Sequence, residues 1–203
     1  MNTPRILAFD TSGHWCAAAL LSGAEILDQR FDSMAKGQAE HLVPLLEGML
    51  ADAGMTWADL TALAVGTGPG NFTGLRISVS LARGLALGLG IPAIGVTGFE
   101  SLVLDAPRPA LATLPAPRDQ LYGQLWTHEG PGAAQLFPAG NIPPDLTRPG
   151  MALLGAAEGA QNPAPAIARV AATRQGDAPA PAPFYLRPAD AAPPRDAPPR
   201  IIP

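Results

Sequence analysis

The chain has 203 residues and a formal net charge of −4, with a pI near 5.3. That length allows one large domain or two small ones with a real core, and the acidic balance argues against a protein that grips nucleic acid by itself, since phosphate neutralisation supplies most non-specific affinity. The single cysteine, Cys16, excludes an internal disulfide framework, while the absence of a long apolar run and of a signal peptide after Met1 leads to the expectation of a cytoplasmic chain with no membrane contact.

Ile6 to Phe9 is an apolar run closed by the turn residues Asp10-Thr11-Ser12-Gly13. Cys16 to Leu21 and Ile26 to Phe31, joined at Ser22-Gly23, give two further strands, so the chain starts as a three-stranded antiparallel unit. Asp10, Thr11 and Ser12 set a carboxylate and two hydroxyls at the first turn, facing whatever sits above the sheet. The same residues also serve a plain turn, where they satisfy backbone groups. From Gln38 to Ala53, Leu42, Leu45, Leu46, Met49 and Ala53 form one stripe of an amphipathic helix, with Gly54 where a left-handed cap would end it. Pro44 must then lie in the first turn or two. His41 has no second ligand at metal spacing. Thr56-Trp57-Ala58-Asp59 reads as a modified capping box for a short turn.

The stretch from Leu60 to Gly90 organises the rest. Leu63-Ala64-Val65 has the apolar character of a buried strand, and Gly66, Gly68, Gly70 and Gly74 follow, with Pro69 and Asn71 between them. Glycines at this density mark a loop that something approaches closely. Leu75 to Leu89 then reads as a helix. Strand, glycine loop and helix in that order is a frequent seat for phosphate, because a helix start offers free N–H groups. The familiar phosphate motifs fail, however. A P-loop needs a lysine and the only one in the chain is Lys36; after Gly66 and Gly68 the third glycine of a dinucleotide fingerprint falls on Asn71.

What the stretch resembles is the G-x-G-P-G-x-F-T-G-L-R signature of the TsaB family, matched by Gly66, Gly68, Pro69, Gly70, Phe72, Thr73, Gly74, Leu75 and Arg76. That family is the non-catalytic subunit in bacterial synthesis of threonylcarbamoyladenosine on tRNA. The resemblance implies an α/β fold of the actin, sugar-kinase and chaperone-ATPase type, with a ribonuclease-H-like first lobe and a reduced second lobe. In that superfamily the first hairpin cradles nucleotide phosphates, so Asp10, Thr11, Ser12, Gly68 and Gly70 are the candidate, vestigial nucleotide site. The resemblance also implies no cofactor, a TsaD-type catalytic paralogue and a TsaE-type ATPase as partners, a homodimer when alone, and tRNA met only through the complex. TsaD holds its metal with an H-x-x-x-H pair after the strand equivalent to Ala93–Val96. Here Gly98 and Leu102 stand in those two positions, and neither ligates a metal.

On the Leu75–Leu89 helix, Leu75, Val79, Ala82, Ala86 and Leu89 gather on the stripe that should pack on the sheet. A second stripe, Ile77, Leu81, Gly84 and Gly88, implies burial on another side. It is the candidate partner interface, or else the two glycines accommodate the helix from Gln38 to Ala53 of the same chain.

Of the 24 prolines, only Pro4, Pro44, Pro69 and Pro92 precede residue 100. The expected division is a first lobe over 1–104, a reduced second lobe over 105–189 and a proline-rich tail over 190–203. Leu111 to Leu114 and Gln120 to Trp126, with Arg118 and Tyr122, resemble the strand pair that the family writes around D-A-R-x-x-E-V-Y, with Pro115 or Ala116 in place of the aspartate. Ala152 to Leu154 reads as a buried strand and Ala164 to Thr173 as a short helix. Phe184-Tyr185-Leu186-Arg187 matches the family's closing Y-L-R.

Two enzymatic alternatives stand against the scaffold reading: a nucleotide-binding kinase-like protein and a glycoprotease-type metallopeptidase. The peptidase lacks its H-x-x-x-H pair and any H-E-x-x-H. The kinase lacks a lysine beyond Lys36 and a carboxylate pair near the glycines to hold magnesium.

Overall fold

The computed structural model describes residues 3–155, 161–174 and 179–186. The chain opens with β1 (Arg5–Asp10), β2 (Trp15–Ser22) and β3 (Glu25–Ser33), then α1 (Gln38–Asp52) and a single 3-10 turn over Trp57–Asp59. Next come β4 (Ala62–Gly66), α2 (Phe72–Leu89), β5 (Ala93–Val96) and α3 (Gly98–Val103). The second half supplies β6 (Ala110–Ala116), β7 (Gln120–Thr127), β8 (Gly130–Pro131), β9 (Gln135–Pro138), a 3-10 turn over Pro144–Leu146, β10 (Ala152–Gly155) and α4 (Ala164–Ala172).

The first sheet has the order β3-β2-β1-β4-β5. β1, β2 and β3 pair antiparallel, while β4 and β5 join parallel through the crossover helix α2. This is the ribonuclease-H-like order. The second sheet runs β10-β6-β7-β8, with β9 also on β7.

Period-two alternation along β1 explains how the first sheet is covered on both faces. Leu7 and Phe9 point into a core with Leu42, Leu46 and Met49 of α1 and with Val79 and Ala82 of α2. Ile6 and Ala8 point the other way, to Ile167, Ala168, Val170 and Ala171 of α4. With both faces covered, β1 and β4 read as continuous apolar runs. Alanines at 8, 62 and 64 on the second face let α4 lie close to the sheet.

The position of α4 departs from the division expected at residue 104. It follows the second sheet in sequence, yet it packs against β1 and β2 of the first. Arg169 fixes its outer side by a two-pronged bond to Asp105 at 2.7 and 3.0 Å. Arg174 donates to the Gly95 carbonyl at 2.6 Å and pairs with Glu100 of α3. The expected tail, 190–203, lies outside the described residues, as does Arg187.

Local capping accounts for most element ends. Gly54 adopts φ +64 just past α1, and Pro44 lies in the second turn of that helix. Thr56 and Asp59 cap each other reciprocally. Helix α2 begins at Phe72, three residues before the expected Leu75, because the Asn71 side chain accepts a hydrogen bond from Gly74 N at 2.9 Å. Contrary to the sequence expectation, its 18 residues have the length and hydropathy of a membrane span. Leu75, Val79, Ala82 and Ala86 are nevertheless buried, three of them in the core beneath the first sheet.

Candidate functional site

A cleft of about 1070 Å³ opens between the two sheets. Its floor is the first hairpin and the glycine loop, its far wall the end of β6 with Tyr122, and its sides α3, α4 and the segment at Phe184–Leu186.

The hairpin and the loop are docked together, and the signature glycines are what permit it. A Cβ on Gly66 would stand 1.9 Å from Asp10 Oδ2, one on Gly70 2.5 Å from the Ser12 carbonyl, and one on Gly74 1.8 Å from the Thr11 carbonyl. Asn71 N donates to the Ser12 carbonyl at 2.6 Å, and Thr11 Oγ1 donates to the Gly74 carbonyl at 2.6 Å. Gly68, at φ +93, uses the left-handed backbone that only glycine adopts without strain, and its carbonyl accepts from Gly98 N at the start of α3.

Of the expected nucleotide residues, Asp10, Ser12, Gly68 and Gly70 therefore meet on the cleft floor. Thr11 does not. It is fully buried and fastens the hairpin to α2. Asp10 is 3 % exposed, and its Oδ1 accepts from Ser12 N at 3.0 Å, Ser12 Oγ at 2.8 Å and Trp15 Nε1 at 2.8 Å. Burial pushes its pKa above the ordinary aspartate value, against those three donors, which pull it down. Sequence reasoning missed Trp15. Its ring lies across Gly13, where a Cβ would come within 2.2 Å, and the only available signal was an aromatic five residues past an aspartate at a turn.

At the mouth of the cleft the two family motifs meet. Phe72 and Tyr185 stack with ring centroids 4.9 Å apart. The Arg76 guanidinium lies 3.9 Å from the Phe72 centroid, and Arg76 Nε donates to Tyr185 Oη at 3.3 Å. One residue back, Phe184 N donates to the Thr67 carbonyl at 2.7 Å. The closing segment is thus laid across the glycine loop, a contact between motifs more than a hundred positions apart.

Gly98 and Leu102 lie one turn apart on α3 and both line the cleft. A Cβ on Gly98 would stand 2.7 Å from Leu114 Cδ1. Among the described residues no group of three or more His, Cys, Asp and Glu side chains is placed to hold a metal. Away from the cleft, the second stripe of α2 divides. Ile77 and Leu81 are half-buried against the first core, whereas Gly84 and Gly88 are exposed and a Cβ on either meets nothing within 4 Å. The glycines are therefore not there to admit α1. Leu87 sits beside them at 88 % exposure, on neither stripe that periodicity picked out.

A 3-2-1-4-5 sheet covered on both faces, set across a cleft from a second sheet, is the α/β architecture of the actin-like superfamily. A Pseudomonas aeruginosa protein with similarity to the peptidase YeaZ superposes on it with a TM-score of 0.71 over 91 % of this chain and all of that one, at 24 % identity. The family model for TsaD, tRNA N6-adenosine threonylcarbamoyltransferase, matches residues 26–124. An uncharacterised Mycobacterium tuberculosis protein is 35 % identical over 93 % of this chain and 94 % of its own. The Escherichia coli tRNA threonylcarbamoyladenosine biosynthesis protein TsaB is 37 % identical over 54 % of this chain and 47 % of its own length, so that match spans under half of the named relative. The chain belongs to the TsaB/YeaZ glycoprotease-like family, which is related to threonylcarbamoyladenosine biosynthesis.

Proposed function

We propose that this chain is a non-catalytic scaffold or activator. It binds a TsaD-type catalytic paralogue and, with a TsaE-type ATPase, supports transfer of threonylcarbamoyl onto the adenosine beside a tRNA anticodon. The observation that carries the reading is the outer face of α2. Two glycines one turn apart cost an exposed helix about 1 kcal/mol each against alanine, nothing in the described chain fills the space over them, and Leu87 stands exposed at their side. Close approach of another helix accounts for all three. The first lobe, 1–104, supplies this face, to the paralogue or to a second copy when the chain is alone.

The second sheet, β6 to β10, is on this reading too reduced to close over a nucleotide. Asp10, Ser12, Gly68 and Gly70 are remnants of a phosphate site that needs no cofactor. The chain works in the cytoplasm, apart from any membrane, and meets tRNA only through the complex.

Co-expression with the paralogue from the same source tests the reading. The two chains should elute as one complex on a sizing column. Gly84→Leu and Leu87→Asp should abolish that complex without lowering the melting temperature by more than about a degree or two; Ile77→Glu should do so at a larger cost in stability, since Ile77 is half-buried. Variants that fold and keep full partner affinity would refute the interface.

A further inference from the structure

We propose that the cleft between the sheets is a receptor for a protonated primary amine carried on a planar apolar body, with the free oxygen of Asp10 as its anchor. The proposal does not rest on the scaffold reading, which needs no ligand in the cleft.

The two oxygens of Asp10 are unequal. Oδ1 takes all three donors, from Ser12 and Trp15. Oδ2 has no hydrogen-bond partner among the described residues, although only 3 % of the residue is exposed. No fully enclosed side-chain oxygen or nitrogen in the described chain lacks a partner. Oδ2 therefore keeps access to the cleft that Asp10 lines. A carboxylate oxygen so sheltered has lost most of its water, and a donor arriving through the cleft restores what burial removed.

Charge decides the kind of donor. Arg76 is the one arginine or lysine among the described residues that line the cleft, and it sits at the mouth, over Phe72 and bonded to Tyr185. Among the described residues the floor carries the Asp10 carboxylate and the His14 imidazole but no arginine or lysine, so an ammonium meets attraction at Oδ2. The walls decide the body. Trp15, Phe72, Tyr122, Phe184 and Tyr185 are among the lining residues, and an aromatic lining favours a flat apolar group with a cation beside it. The volume suits a small organic molecule.

Calorimetric titration of the full chain with tryptamine, its isosteric acid indole-3-propionate, and magnesium ATP tests this. Tryptamine should bind and the acid should not. Asp10→Asn, which keeps an acceptor for Ser12 and Trp15, should weaken tryptamine at least tenfold. Leu102→Arg, which brings a cation into the cleft without touching Asp10, should weaken it likewise and covers the case in which Asp10→Asn does not fold. The proposal is overturned if tryptamine does not bind, if the acid binds as tightly, if folded Asp10→Asn or Leu102→Arg retains wild-type affinity, or if magnesium ATP competes for the floor in an Asp10-dependent way.

Discussion

The two ends of α2 carry glycines for opposite reasons. From the end of β4 into the first turn of α2, Gly66, Gly70 and Gly74 are places where a single methyl group would collide with the first hairpin. At the outer end, Gly84 and Gly88 face open space. The inner glycines are explained by the chain itself, through bonds such as Thr11 Oγ1 to the Gly74 carbonyl. The outer ones gain nothing from this chain and weaken its helix. A glycine is thus informative about function only after its surroundings are known.

The sharpest way to break this contrast is Gly74→Ala. The new methyl would meet the Thr11 carbonyl, a backbone atom that cannot swing aside, so a loss of about 3 kcal/mol is expected from overpacking. Urea unfolding measures it, and a variant as stable as wild type would show that the hairpin and loop are not held together as described. Gly68→Ala comes next. Its φ of +93 is strained for any side chain, and a loss of about 1 kcal/mol or more should appear in the same experiment. For Gly84→Ala and Gly88→Ala the sign reverses. Each should stabilise the isolated chain by up to about 1 kcal/mol, and a destabilised variant would mean that the outer face is packed after all.

For Asp10→Asn the expected effect is a slope with pH. Because burial raises the folded-state pKa of Asp10 above 3.8, the folded chain holds this proton more tightly than the unfolded chain does. The carboxylate therefore lowers stability progressively as pH rises from about 3.8 through the raised value, and this penalty is absent below that window. Stability of Asp10→Asn relative to wild type should accordingly improve as pH rises across it, as read by chemical unfolding at a series of pH values. A flat difference would mean that Asp10 is not desolvated. A related thiol behaves similarly: burial, then the charges of Asp32 and Asp10, push Cys16 up to about 11, so iodoacetamide at pH 8 should label it slowly until the chain is unfolded.

Much of the first lobe was legible because its strands and helices have one repeated physical need. β1, β2 and β4 are apolar runs, and α1 carries its core stripe at helical spacing, ended by a left-handed glycine. The start of α2 is hidden in the sequence because Thr73 and Gly74 are poor helix formers, and only the Asn71 cap offsets them. Helix α3 is only six residues long, too short for periodicity to reveal, although Thr97 and Glu100 form the reciprocal cap that was its one signal. The four-residue strand β9 gave none.

The sequence alone determined the order of elements from β1 to β5 and the family, because apolar spacing and a dense glycine signature are local properties of the chain. Tertiary structure alone decided three other matters. Helix α4 left the second half to cover the first sheet, since an apolar helical face specifies that it must be buried but not against which partner. Trp15 and Ser12 took one oxygen of Asp10 and left the other facing the cleft, a division set by side-chain directions in three dimensions. The closing Phe184–Leu186 segment came to lie on the glycine loop, with Tyr185 against Phe72 and Arg76. No spacing rule connects residues that far apart, because the distance between them in space is fixed only when the two sheets have folded.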